Sequence, residues 1–279
     1  MKYVLTALMA VVALVFLTAP ATADYPTDGN WKWIQPPNLG TAPPSWDVNF
    51  TYPKVLADDF QCSQPIPITD AHIWFSVKND RLVYFPTGTQ PVPIEPKDAI
   101  ESVRLSIHSN VPGDPPTIPS KPGDELWSLV TRNFRVAPWG QSPQGWLEPQ
   151  DPQPTPFPDH FGTWLLNVYF PEKPFPQQGT TARPITYWLD ASVTLKPGVE
   201  GLLGWKTSRV QWEDDAFWGH LIEPPGALPV RWEGPLVDPI THQSLDLAFI
   251  ITPEPGTVVM LVGAGLIGLV AYARRRRNS

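Results

Sequence analysis

Ile185-Thr186-Tyr187-Trp188-Leu189-Asp190-Ala191-Ser192-Val193-Thr194-Leu195 sets Ile185, Tyr187, Leu189, Ala191, Val193 and Leu195 at alternate positions, with mostly polar residues between them. Successive side chains of an extended strand point to opposite faces, so a period of two sustained over this length predicts a β-strand with one apolar face. The pattern recurs upstream. In 69–77, Ala71, Ile73, Phe75 and Val77 share a face opposite Asp70, His72, Trp74 and Ser76; in 103–108, Val103, Leu105 and Ile107 alternate with Arg104, Ser106 and His108, and a turn follows at 110–114. Further strands are expected at 125–131, 163–170, 202–206, 228–232 and 244–252. No stretch of the body carries a convincing helical period, and 37 prolines exclude long helices. Eight or more strands joined by Pro/Gly turns predict an all-β domain at 55–252, an antiparallel β-sandwich of jelly-roll type. Residues 24–54, with Trp31, Trp33 and Trp46 among prolines, read as an arm packed on that domain, and the proline-rich stretch 138–160 reads as a long surface loop.

Both ends read as addresses. Lys2, the apolar run Val4 to Leu17, Pro20 and the small residues Ala21-Thr22-Ala23 form a signal peptide, 1–23, with an uncleaved N-terminal anchor as the alternative. At the other end Pro253-Glu254-Pro255 precedes an apolar run at 257–273 and the cluster Arg274-Arg275-Arg276-Arg277. Those 17 apolar residues span about 26 Å as a helix, near the lower limit for a transmembrane helix. The arginines favour the cytoplasmic side, which leaves the body outside. Gly263-Ala264-Gly265-Leu266-Ile267-Gly268 matches a dinucleotide-binding fingerprint, but it lies in the apolar run with no strand before it and no acidic residue beyond, so it is rejected.

The order Pro-Glu-Pro, apolar run and arginine cluster at 253–279 resembles the PEP-CTERM sorting signal of Gram-negative bacteria. The resemblance implies that a membrane-embedded exosortase recognises Pro253-Glu254-Pro255, removes the tail and passes the body to the envelope surface or the exopolysaccharide matrix. An anchor that is never cut is the alternative. Signal peptidase and the exosortase are then the expected processing partners, with extracellular polysaccharide a further candidate.

Composition narrows the functions. Without the two terminal signals, 15 basic and 26 acidic residues remain, a net charge of −11 that disfavours nucleic acid and anionic membranes as partners. The single cysteine, Cys62, allows no internal disulfide and no thiolate metal cluster. The five histidines show no metal-binding spacing, and no serine lies in a G-x-S-x-G context. No catalytic residue is therefore assigned. Two acidic groups, Asp58-Asp59 and Glu213-Asp214-Asp215, could supply the carboxylate pair of a glycosidase or a weak Ca²⁺ site from Asp58, Asp59, Asp214 and Asp215; hydrogen-bonding roles within the fold are the plainer alternative. No other cofactor is expected. Trp205, Trp212 and Trp218 lie among charged and amide side chains, a composition suited to the apolar face and hydroxyls of a sugar ring, or alternatively to a core.

The body from Trp31 to Thr252 resembles a family of uncharacterised exported bacterial proteins. Lys32-Trp33 with Gln35-Pro36-Pro37, Ala57-Asp58-Asp59-Phe60 with Cys62, 105–109, 122–127 and Gly204-Trp205-Lys206-Thr207-Ser208 carry the likeness. It implies a domain label and no activity. The expectation is an exported, non-catalytic envelope or matrix protein, with a carbohydrate-binding module and a glycoside-active enzyme as the alternatives.

Overall fold

The computed structural model describes residues 31–40, 45–88, 90–114, 118–151, 157–222 and 230–253. The expected signal peptide and the tail beyond Pro253, including the expected transmembrane run and arginine cluster, lie outside those residues. Among the described residues no helix is long and apolar enough to cross a membrane.

The chain is all-β. Its first strands are β1 (Trp33–Gln35), β2 (Trp46–Asn49), β3 (Lys54–Cys62), β4 (Asp70–Val77), β5 (Val83–Tyr84) and β6 (Val92–Pro93). The middle holds β7 (Ile100–Val111), β8 (Lys121–Thr131), β9 (Phe134–Leu147), β10 (His160–Tyr169) and β11 (Ile185–Leu195). The last are β12 (Val199–Glu200), β13 (Leu203–Lys206), β14 (Phe217–Leu221), β15 (Val230–Pro235) and β16 (Phe249–Thr252). They form a seven-stranded sheet ordered β1-β16-β4-β10-β9-β2-β13, a six-stranded sheet ordered β15-β14-β3-β11-β7-β8, and a small sheet β12-β5-β6. Pairings between these strands are antiparallel except β2 with β9, which is parallel.

Both large sheets curl. One edge of β4 is divided, its first half pairing with β16 and its end (Phe75 to Val77) with β13, while its other edge takes β10. The pairings therefore close a circuit β4-β13-β2-β9-β10-β4. In the six-stranded sheet, Trp232 of β15 lies 5.7 Å from the ring of His108 on β7. Four strand steps of about 4.8 Å would separate them by about 19 Å in a flat sheet, so the sheet rolls over on the face that carries His108.

One main apolar core takes side chains from both large sheets. Val48, Ile73, Phe75, Trp205 and Phe249 meet Leu56, Phe60, Leu105, Ile107, Leu189 and Val193 there. The deciding strand at 185–195 is found at those bounds, with Tyr187, Leu189, Ala191 and Val193 toward this core. Its other face is buried too: Trp188 joins Ala57, Phe217 and Trp232 in a second apolar group, and Asp190 is inaccessible.

Two stretches read as irregular are strands. Residues 33–35 and 46–49, from the expected arm, are β1 and β2 of the seven-stranded sheet, and the first part of the expected loop at 138–160 belongs to β9. Prolines are compatible with these strands because they can occupy a strand edge that needs no N–H donor. Residues 134–144 of β9, with Pro138 and Pro143, pair with β10 alone, and β2 joins only at Gly145 to Leu147. Pro93, Pro122 and Pro235 likewise lie on the edge strands β6, β8 and β15.

Candidate functional site

The three tryptophans singled out from sequence do not share a surface. Trp205 is a core residue: β13 turns it inward, its indole N–H donates to the Ala248 carbonyl at 2.9 Å, and Phe50 and Phe249 each lie 6.0 Å from its ring. It has no face to offer a ligand. Trp212 is half-buried and meets Trp33 edge-on at 4.7 Å. Trp218 is half-buried elsewhere, with Lys54 Nζ 5.4 Å from its ring centroid and His220 at 5.6 Å.

The acids of β3 point to opposite faces and are both fully buried. Asp58 shares the parity of Leu56 and Phe60; its carboxylate accepts the backbone N–H of Leu247 at 2.6 Å and of Asp59 at 2.9 Å. Asp59 has neither oxygen hydrogen-bonded. Burial, with the nearby charges of Asp246, Glu213 and Asp214, pushes its acid up to about 9. Burial also raises Asp58 well above the usual carboxylate range, and raises Asp246 to about 7 although Asp246 accepts from Trp212 N at 2.7 Å and Gln35 Nε2 at 3.2 Å. Asp214 turns to Ser120, accepting its backbone N–H at 3.1 Å.

The structure thus draws Glu213 and Asp214 toward Asp59, together with Asp246, which the sequence did not single out. Burial and mutual repulsion raise the proton affinity of Asp59, Glu213 and Asp246 in this group. Among the described residues no group of three or more His, Cys, Asp or Glu is arranged to hold a metal ion, so the Ca²⁺ expectation at Asp58, Asp59, Asp214 and Asp215 finds no ligand set.

Two charged networks were not read from sequence as sites. On the rolled face of the six-stranded sheet, Asp190 Oδ1 accepts from Arg104 Nη1 at 2.7 Å and Oδ2 from His108 Nε2 at 2.8 Å, while Arg104 Nη2 reaches Glu125 at 2.8 Å. Ser106 Oγ lies 3.3 Å from the same His108 nitrogen, and His108 Nδ1 faces the Gly123 carbonyl at 3.1 Å. Serine and aspartate thus converge on one imidazole nitrogen while the other is tied to a carbonyl. A serine nucleophile needs them on opposite nitrogens, so this is a charge network and not a triad. Burial alone would lower His108, but the Asp190 hydrogen bond and charge outweigh it and raise its affinity for a proton. Arg104 and His108 offset the burial of Asp190, which stays below the usual carboxylate range. The signal was present: Arg104, Ser106, His108 and Asp190 occupy the non-core parity of two strands, where a polar residue buried on both sides needs partners.

The second network lies among the strands of the closed circuit. Lys206 and Asp47 follow the opposite parity to Trp205 and Val48, and both are fully buried. Lys206 Nζ donates to Ser45 Oγ at 2.9 Å, lies 3.4 Å from Asp47 Oδ2 and touches Gln144 Oε1. His160 donates Nε2 to Asp47 at 2.7 Å and pairs through Nδ1 with Asp159. Burial would lower His160, but these two carboxylates outweigh it and carry it to about 9. Gly204 leaves room for the group: a Cβ there would come within 2.6 Å of the Trp146 ring and 3.0 Å of the Asp47 side chain.

A polar hollow of about 350 Å³ opens at Gln211, next in sequence to Trp212, lined by Asn38, Ser208, Arg209, Gln211, Thr241 and Gln243 among others. Arg209 Nε donates to Asn38 Oδ1 at 2.7 Å, and Asp238 accepts the backbone N–H groups of Ile240 and Thr241 at 2.8 Å each. The larger hollow, about 760 Å³, lies away from every residue singled out from sequence, between Tyr84, Lys97, Arg132 and Lys196.

A family model described as "Domain of unknown function (DUF7901)" matches residues 31–252, the whole extent of both large sheets. The chain belongs to the DUF7901 family. The match begins at Trp31, so the DUF7901 body includes β1 and β2. A second model, the PEP-CTERM protein-sorting motif, matches residues 252–277, directly where the DUF7901 body ends. Pro253 is the last described residue; Glu254, Pro255 and Arg274 to Arg277 lie outside the described residues. No curated protein matches the chain. PEP-CTERM signals are recognised by exosortase-type processing enzymes, and the motif implies a secreted protein with a membrane-associated C-terminal sorting signal.

Proposed function

We propose that this DUF7901 protein is a non-catalytic component of the cell surface or exopolysaccharide matrix, exported by its N-terminal signal and released from a transient membrane anchor by an exosortase. The single observation that carries the reading is the sorting motif at 252–277, joined without a linker to the last strand of the body. Supporting it, Asp58 and Asp59 are internal, with Asp58 serving backbone donors, and Ser106 and Asp190 share one histidine nitrogen. One core shared by the two large sheets supports the finer description of the body as a β-sandwich of jelly-roll type. Fractionation of cells with and without the exosortase tests the sorting. The expected outcome is a shortened body at the surface of the parent strain and a full-length, membrane-held chain in the mutant; full-length chain in both strains would sink the reading. Replacing Pro253, Glu254 and Pro255 by alanine should reproduce the mutant pattern.

A second reading, that the body binds carbohydrate, is favoured by the polar hollow at Gln211, where amides and hydroxyls converge next in sequence to the half-exposed Trp212. It replaces the three-tryptophan platform with Trp212 alone. Binding on a glycan array that is lost in Trp212→Ala supports it, and binding that persists in that variant, or no binding, removes it.

A further inference from the structure

We propose that Lys206 and Gln144 become joined by an intramolecular isopeptide bond, formed by the folded body itself with Asp47 moving the proton. The chain's only cysteine is free and buried, so disulfide chemistry within the chain has no second thiol, yet the body is read as working outside the cell.

Three groups meet where water does not reach. The Lys206 amine, the Gln144 carboxamide and the Asp47 carboxylate all belong to fully buried residues. Nζ touches Gln144 Oε1, which places the carbonyl carbon one bond beyond the contact, and Asp47 Oδ2 lies 3.4 Å from Nζ. The carboxamide nitrogen is turned the other way, donating to Thr163 Oγ1 at 2.8 Å, and also lies 3.0 Å from the Phe161 carbonyl and 3.1 Å from that of Ser142. Burial lowers the affinity of Lys206 for its proton, only partly countered by Asp47, which favours the neutral, nucleophilic amine. His160, held between Asp47 and Asp159, fixes the Asp47 carboxylate in place.

The step balances without any added reagent. Asp47 takes a proton from Nζ as the nitrogen forms its bond to Gln144 Cδ. The resulting tetrahedral centre collapses by breaking Cδ–Nε2, and Asp47 returns the proton to the leaving nitrogen. An amine and a primary amide become a secondary amide and ammonia, with no oxidation or reduction. Proximity supplies the rate, because the folded chain holds nucleophile and electrophile together. The new bond would run from β9 to β13 across β2, which pairs with both, and would lock the closed circuit.

The test is the mass of the folded, purified wild-type protein. The expected result is a mass below the sequence value by one ammonia, about 17 Da, and a branched proteolytic peptide containing both Gln144 and Lys206. In Lys206→Arg the loss disappears and the two segments separate. A wild-type protein at full mass, or a loss that persists in Lys206→Arg, overturns the proposal and leaves Lys206 as an ion-paired ammonium. The wild-type mass decides even where the variant does not fold.

Discussion

Arg104 and His108, four residues apart on one face of β7, converge on the two oxygens of Asp190, at 2.7 and 2.8 Å, where no solvent reaches the carboxylate. The anion is buried on condition that both partners remain. Removing one partner of such a group leaves the other charge uncompensated, so Asp190→Ala should cost about 3–5 kcal/mol. Urea denaturation measures it, and a loss below about 1 kcal/mol, the usual worth of an exposed pair, would contradict the burial argument.

The pH dependence of stability should run downward through the neutral range. An unfolded aspartate ionises near about 3.9, whereas Asp59 keeps its proton to about 9. Between those values the folded chain carries more protons than the unfolded one, so stability falls as pH rises. His108 adds to the slope. Its raised proton affinity contributes stability that is complete below the unfolded value and is lost as pH climbs through the higher folded value. Asp59→Asn removes the carboxyl contribution, and thermal melts from about pH 5 to pH 9 should show a shallower decline than wild type. Parallel curves would mean that Asp59 is ionised in the fold.

Trp205 and Trp212 should separate stability from binding. Trp205→Ala empties a core position and should cost about 3–5 kcal/mol. Trp212→Ala, at a half-exposed site, should cost less than half of that while removing any glycan binding. A Trp205 variant that keeps wild-type stability would contradict its place between Phe50 and Phe249.

Gly204→Ala tests the closed circuit. The added methyl meets the Trp146 ring at 2.6 Å, so side chains must shift, at about 1–3 kcal/mol. An unchanged melting temperature would show that Trp146 moves aside freely.

Strands with one apolar parity were legible along the chain. Residues 185–195 and 70–77 appear where the alternation put them, because an apolar face that must be buried fixes a period of two. β3 was not legible. It carries Val55, Leu56 and Ala57 in succession and then two acids, so its residue types do not alternate. β9 was hidden by prolines that only its partly unpaired edge makes tolerable. The acidic residues were found by type, but their neighbours Asp246 and Ser120 come from distant segments that no local spacing marks.

The sequence by itself determined the all-β class, the lack of a disulfide and the sorting motif that follows the body, because periodicity, cysteine count and a motif read in order are all local properties of a chain. Only the tertiary structure decided that Trp205 is core, that Asp59 is buried without a hydrogen-bond partner, and that Lys206 meets Gln144 and Asp47. Each of those depends on which strands become neighbours, and strand pairing is settled by burial across the whole fold, beyond the reach of neighbouring residues.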